Sequence, residues 1–384
     1  MRIERIVLTI RRAALTRPFE NRWQRFESWD KFLVEVVADG VSGFGECSAM
    51  PTPYYNYETV ETAWWVTRSY LAPLLLGRET GPRDAAARWA HIHGYEEAKA
   101  ALECALWDCE ARLAGRPLYE LLGGGAGPVR AGATIGIHPT PEGVAEAVGR
   151  AVREGFHRVR VKIRPGWDVA PLTAVRAAYP DVPLLADANA GYDEADADLL
   201  AGLDRFGLLG LEQPFAPERR EATRKLQARM ETAISLDEGI KTVHDAECAL
   251  AQRACRIVNV KLGRVGGIAN ALRILALCRE AGVDVFVGAK YDLGIGRWTN
   301  IAFASLPGIT LPSDVGPSAR YFANDPSFPA VNFSEPGSVV PLAAPGIGAR
   351  LGPGETVSEL VLDAAGDGAR AAVEAVPVAG PAGA

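Results

Sequence analysis

Five charged residues, Lys162, Asp187, Glu212, Asp237 and Lys261, follow one another at intervals of 25, 25, 25 and 24 residues. Each ends a short, mostly apolar run: Arg160-Val161-Lys162, Leu184-Leu185-Ala186-Asp187, Leu209-Gly210-Leu211-Glu212, Ile234-Ser235-Leu236-Asp237 and Ile257-Val258-Asn259-Val260-Lys261. Parallel strands need a crossover between them, usually a helix, and one strand, one helix and two loops use about this much chain. The period therefore predicts successive strands of a TIM-like barrel, each delivering one charge to the same C-terminal mouth. A doubly wound open sheet would also alternate strands and helices, but no Gly-x-Gly-x-x-Gly follows a first strand.

The flanks of this repeat read differently. At 384 residues the chain exceeds one ordinary core. Residues 1–128 predict an α+β capping domain: strands at Arg2–Arg11 and Phe32–Ala38, a turn at Asp39-Gly40, then helices at Tyr57–Leu76, Asp84–Ala90 and Tyr95–Leu113. Residues 129–320 form the α/β barrel unit, with further strands at Val129–Ile137, Val283–Gly288 and Ile309–Leu311 and helices at Val169–Ala178, Glu194–Phe206 and Ile268–Glu280. Residues 321–365 return to the cap. The Gly-, Ala- and Pro-rich stretch 366–384 is expected to be a disordered tail.

Five charges in phase, in the order base, acid, acid, acid, base, are hard to obtain from solvated surfaces. Three carboxylates offer hard oxygen ligands suited to Mg²⁺ or Mn²⁺. No His or Cys falls on the period, which disfavours zinc. Two lysines flanking such a site suit proton removal alpha to a carboxylate, with the cation stabilising the enediolate. Arg160, two residues before Lys162, points to the same side of its strand and, together with the metal, is expected to lower the lysine's pKa so that it can act as a base.

The flanking motifs carry a resemblance. VRVKIRPGWD (159–168), DANAGY (187–192), EQPF (212–215), SLDEGI (235–240), NVKLGRVGG (259–267) and GAKYDLGIGR (288–297) resemble the enolase superfamily in its muconate-lactonizing subgroup. Within it the chain looks most like the o-succinylbenzoate synthase and N-succinylamino acid racemase family. The resemblance implies a (β/α)7β barrel with an α+β cap. It implies Mg²⁺ on Asp187, Glu212 and Asp237, Lys162 as the base on one face of the substrate and Lys261 on the other. It places Arg160, Asn189 and Glu238 around the metal shell. Thr134, Gly288, Lys290, Asp292, Met50 and Tyr55 would lie near the substrate, and cap residues Trp23–Phe26 and Met50–Tyr55 would close over its variable end. Arg160 stands for the family's usual first lysine, Gly239 for a common Ser, and Lys290 and Asp292 for an apolar residue and Glu.

The implied reaction is elimination of water from a cyclohexadiene carboxylate to give o-succinylbenzoate, in menaquinone synthesis. The alternative is racemization of an N-succinyl or other N-acylamino acid, which needs the same five residues. Muconate cycloisomerase, dipeptide epimerase and a non-catalytic barrel rank lower. Relatives that use a late-strand His base are disfavoured, since the last histidine is His244. The substrate is thus a small carboxylate. A net charge of −6 gives no reason to expect nucleic acid, and no apolar stretch approaches the roughly 20 residues of a membrane span. Six cysteines without a CxxC pair suggest reduced thiols and a cytoplasmic location. The resemblance also allows a homo-oligomer.

Overall fold

A computed structural model describes residues 1–20 and 25–364, beginning with an antiparallel meander of β1 (Ile3–Glu20), β2 (Arg25–Ala38) and β3 (Val41–Cys47). Asp39 and Gly40 join β2 to β3 with φ of 47° and 74°, the left-handed pair that a two-residue hairpin turn requires. Helices α1 (Val60–Val66), α2 (Pro82–Arg88), α3 (Glu96–Leu113) and α4 (Leu118–Leu121) follow. The helix expected at 57–76 starts only at Val60, where the Thr59 hydroxyl caps it by accepting from Thr62 N. It then loosens through a π turn at Thr67–Leu71 and a 3₁₀ turn containing Pro73. Helix α3 presses on the sheet at Gly43 and Gly45 of β3. A Cβ at either glycine would overlap the carbonyl oxygen of Ala105 or Ala101, so the close approach depends on both. Behind that contact Ile6, Leu8, Val34, Val36, Leu102 and Leu106 are fully or almost fully buried, each contributing about 1.5–3 kcal/mol.

Val129–Ile137 splits into β4 (Val129–Arg130) and β5 (Gly132–Ile135). Then come β6 (Arg158–Lys162), β7 (Leu184–Asp187), β8 (Gly210–Glu212), β9 (Ile234–Leu236), β10 (Ile257–Val260) and β11 (Asp284–Val287). Among the described residues β5 to β11 form one seven-stranded sheet, all parallel and in chain order. The intervening helices are α5 (Pro141–Arg153), α6 (Val169–Ala178), α7 (Ala197–Ala201), α8 (Arg220–Gln227), α9 (Val243–Ala251), α10 (Ile268–Ala281) and α11 (Gly294–Ala304). The helix expected at 194–206 is α7 flanked by two 3₁₀ turns.

No regular strand forms at Ile309–Leu311, contrary to the sequence expectation. Residues 310–314 close the ring as an irregular eighth stave. Thr310 N and Leu311 N donate to Val285 O, Asp314 N to Val287 O, and Gly132 N to Ser313 O. Pro312 has no N–H to give, which interrupts the ladder where a strand would need it. The α/β barrel with its cap is thus the architecture the period predicted, in the (β/α)7β form that the family resemblance implied.

Strand β6 inverts the usual alternation: Arg158, Arg160 and Lys162 face the barrel interior, while Val159 and Val161 pack outward, fully buried. Gly132 on the neighbouring strand leaves room for the Arg158 guanidinium, which a Cβ would strike. Farther on, β12 (Ser327–Phe328) pairs with β14 (Arg350–Leu351), β13 (Ser338–Val339) with β4, and β15 (Glu355–Asp363) adds to the cap sheet beside β1. The proposed tail at 366–384 and residues Trp23 and Gln24 lie outside the described residues. All six cysteines are free thiols, five of them buried. No helix among the described residues is long and apolar enough to cross a membrane.

Candidate active site

Strand order alone fixes the first geometric fact. With residues 310–314 as the eighth stave, β6 and β10 stand four staves apart, so Lys162 and Lys261 rise from opposite walls of the mouth. Of the three staves between them, β7 and β8 end in Asp187 and Glu212, and Asp237 directly follows β9. Asp187 pairs in register with both Lys162 and Glu212, so three neighbours deliver their charges at one height. All three carboxylates are buried.

Each is drawn onto a cation. Lys162 Nζ donates to Asp187 Oδ2 at 2.6 Å and to Asn189 Oδ1 at 2.5 Å, and Asn189 Nδ2 passes the contact to Glu238 at 3.0 Å. Asn189 adopts φ of 42°, a left-handed bend that turns its amide back over the strand end. Arg160 Nη1 donates to both oxygens of Glu212 at 2.9 and 3.0 Å, and its Nη2 to Asp314 at 2.5 Å. Asp237 accepts from Lys261 Nζ at 2.7 Å and from Arg264.

These pairs shift the acids and bases in opposite senses. Burial pushes Asp237 up, but Arg264 and Lys261 outweigh it and hold the carboxyl well below its usual range. Burial pushes Glu212 up to about 7; Arg160 opposes this, while Asp187 and Asp237 add to it. Burial pulls Lys162 down, and Arg160 pulls the same way, as expected, yet Asp187 outweighs both and leaves the ammonium above its usual pKa. Without the cation, the nearest charge to Lys162 is an anion in direct hydrogen-bond contact, so the lowering expected from Arg160 and the metal together depends on the metal taking up the Asp187 charge.

Among the described residues no three acidic, His or Cys side chains converge tightly enough to share an ion. The donor chemistry nonetheless fits a hard divalent cation. Asp187 and Asp237 raise the proton affinity of Glu212 between them, and buried Glu238 Oε2 and Asn259 Oδ1 beside them have no hydrogen-bond partner among the described residues. Asp187, Glu212 and Asp237 are the residues that would hold it.

The remaining expected residues divide around the mouth. Thr134 accepts from Arg160 Nε and Nη2 at 3.1 and 3.0 Å. Tyr55, from the cap, reaches over the opposite wall, where its hydroxyl accepts from Lys261 at 3.1 Å and Arg264 at 2.5 Å. Gly288, Lys290 and Asp292 line one cavity with Lys261 and Arg264. A Cβ at Gly288 would overlap Asn259 Oδ1 and come within 2.9 Å of Lys261 Cε, so this glycine makes room for the amide and the lysine stem at the end of β10. Asp292 accepts from Lys290 N and Asn300 Nδ2, both at 3.3 Å. Met50 is partly buried beside the barrel core, and its carbonyl accepts from Val60 N.

Arg264, Asn259 and Asp314 were not singled out as site residues from the sequence. Asn259 donates to Glu212 Oε1 at 2.9 Å, and its place two residues before Lys261 on the same strand face could have found it. Arg264 follows Lys261 by three residues in a loop, where strand alternation gives no signal. Asp314 sits beyond the period, past Pro312. It ties together Arg158 at 2.7 Å and Arg160 at 2.5 Å inside the barrel. Asp314→Ala should therefore lose about 3–5 kcal/mol of stability by leaving the buried Arg158 guanidinium without its carboxylate, while Arg160 keeps Glu212. A urea midpoint equal to that of the wild type would contradict this.

Comparison with known proteins shows the family to which the chain belongs. Residues 5–123 match the mandelate racemase / muconate lactonizing enzyme N-terminal domain family, and residues 143–354 match the enolase C-terminal domain-like family. The chain is 43% identical to the o-succinylbenzoate synthase of Geobacillus kaustophilus over 348 residues, covering 90% of this chain and 92% of that protein. It is 37% identical to the N-succinylamino acid racemase of Thermus thermophilus over 326 residues, covering 85% and 88%. A crystal structure of an enolase-superfamily member from Listeria innocua superposes with a TM-score of 0.91 at 33% identity, covering 95% of this chain and all of that one. Barrel, cap and matched domains together establish that this chain is an enzyme of the enolase superfamily, in the group that holds the o-succinylbenzoate synthases and N-succinylamino acid racemases.

Proposed function

We propose that the enzyme is an o-succinylbenzoate synthase, dehydrating 2-succinyl-6-hydroxy-2,4-cyclohexadiene-1-carboxylate. The observation that carries this reading is the pair of lysines on opposite walls with three buried carboxylates on the staves between them. The 43% identity to a synthase over nearly the whole chain supports the choice of substrate.

Lys162 Nζ, as the free amine, takes the proton from the carbon alpha to the carboxylate. The electron pair left behind moves into the carboxylate as an enediolate. Collapse of that intermediate expels the hydroxyl from the adjacent ring carbon, and the ammonium of Lys162 returns its proton so that water leaves from the same face. Lys261, charged and fixed by Asp237 and Tyr55, stabilises the anion from the other face. A divalent cation on the three carboxylates would supply further charge neutralisation at the substrate carboxylate and would take up the Asp187 charge that now keeps Lys162 protonated.

A second reading is favoured by the same opposed lysines. Two bases on opposite faces are what racemization of an N-succinylamino acid needs, and the Thermus thermophilus relative bears that name. Both readings share their first step. Incubation with Mg²⁺ in D₂O should replace the alpha proton of N-succinylamino acids, and the cyclohexadiene carboxylate should yield o-succinylbenzoate. An enzyme that does neither, while folded and metal-loaded, would sink both.

A further inference from the structure

Lys290 lies outside the periodic set, three residues past β11, with only 5% of its side chain exposed. Its ammonium is paired with Oε1 of Glu97, on the first turn of cap helix α3. A buried lysine needs a partner, and this one crosses from the barrel to the cap to find it. The same Glu97 oxygen accepts from Asn56 Nδ2 at 2.8 Å. Lys290 Nζ also lies 5.5 Å from the centre of the Tyr55 ring, within reach of a cation–π contact. The Glu58 carboxylate, two residues farther along, caps α3 by accepting from Glu97 N at 3.0 Å and Ala98 N at 2.7 Å. Residues 55, 56 and 58 are thus each tied to one small region around Glu97. Tyr55 carries the connection inward, because its hydroxyl accepts from Lys261 at 3.1 Å.

We propose that Lys290 and Glu97 are a positioning pair, whose ion pair across the cap–barrel junction fixes Tyr55 and, through its hydroxyl, fixes the Lys261 ammonium on the face opposite Lys162. The charge matters more than the packing. An apolar pair could fill the same space, but it would take one of three cations off the Tyr55 ring, leaving Lys261 and Arg264 at 5.6 Å, and would leave no anion on Asn56. Neither residue touches the reacting atoms in this scheme; both act through Tyr55.

The test compares wild type, Lys290→Met/Glu97→Gln and Tyr55→Phe. The double variant removes both charges, so no unpaired ion is left buried, and the glutamine keeps an acceptor for Asn56. Amide hydrogen exchange in residues 54–58 should speed up by about tenfold in the double variant while α10 is unchanged, because only the loop loses its tie. Alpha-deuterium exchange should become unequal between the enantiomers of an N-succinylamino acid. The enantiomer whose proton faces Lys261 should slow by about tenfold more than the other, in both the double variant and Tyr55→Phe. This second measurement rests on the two-lysine reading above; the first does not. Unchanged loop protection overturns the pair as a tie. A loss confined to KM and equal for both enantiomers overturns its action on Lys261 and makes Lys290 a substrate contact instead. If the wild type exchanges neither enantiomer, the two-lysine reading falls and the loop measurement alone decides the pair.

Discussion

Replacement of Lys162 by alanine should abolish both dehydration and alpha-proton exchange, lowering kcat by about 10³- to 10⁴-fold, the upper range for loss of a positioned general base. The size follows from the geometry. Lys162 is the charged group at the end of β6 at the mouth, and the other lysine stands four staves away on the opposite wall. No side chain can substitute from the same face: Asn189 is not basic, and Arg160 stays protonated and is held by Glu212 and Asp314. Stability should change little, since the Lys162 side chain is 28% exposed and Asp187 retains its hydrogen bond from Asn189 N at 2.9 Å. The decisive measurement is single-turnover dehydration alongside a metal titration. Retention of more than a few per cent of wild-type kcat would remove Lys162 from the role of base.

The second large effect concerns metal affinity. Asp237→Asn should weaken Mg²⁺ binding by about 100-fold or more, since it removes a full charge from an all-oxygen site that has only three carboxylates. Asp237 is held toward its ionised form by Arg264 and Lys261 acting against burial, so it offers a full negative charge at neutral pH. The asparagine keeps the shape and one acceptor oxygen for Lys261. Calorimetric titration of the variant with Mg²⁺, needing no substrate, reads the effect directly. An affinity within a fewfold of the wild type would show that Asp237 serves only as the partner of Lys261 and Arg264.

These two expectations come from residues that were legible before any coordinates, whereas the structure altered what surrounds them. The period of 25 marked β6 to β10 because each strand end must return to the same rim, and a parallel β/α unit has little freedom in length. The eighth stave was misread as a strand at Ile309–Leu311. Local composition there suits a strand, but Pro312 removes a donor and only the neighbouring walls hold residues 310–314 in place. Arg160 was read as a charge that, together with the metal, lowers Lys162. That effect exists, yet the lysine's direct contact with Asp187 dominates, and contact distance is not written in the sequence.

Lys290 illustrates the same limit from the other side. Its departure from the family pattern was visible, and it read as an added charge near the substrate. Its partner, Glu97, sits 193 residues earlier, on a helix whose alanine-rich pattern gives no reason to single it out. By itself, then, the sequence determined the barrel, the order of charges around its rim and the class of chemistry. Those properties depend on local periodicity and on residue type, which the linear chain carries. Tertiary structure alone decided which charges neutralise which: Asp314 with Arg158 and Arg160, Arg264 with Asp237, Glu97 with Lys290. Ion pairing falls off over a few ångströms, and the separations that bring these groups together are set by how the barrel closes and how the cap sits on it.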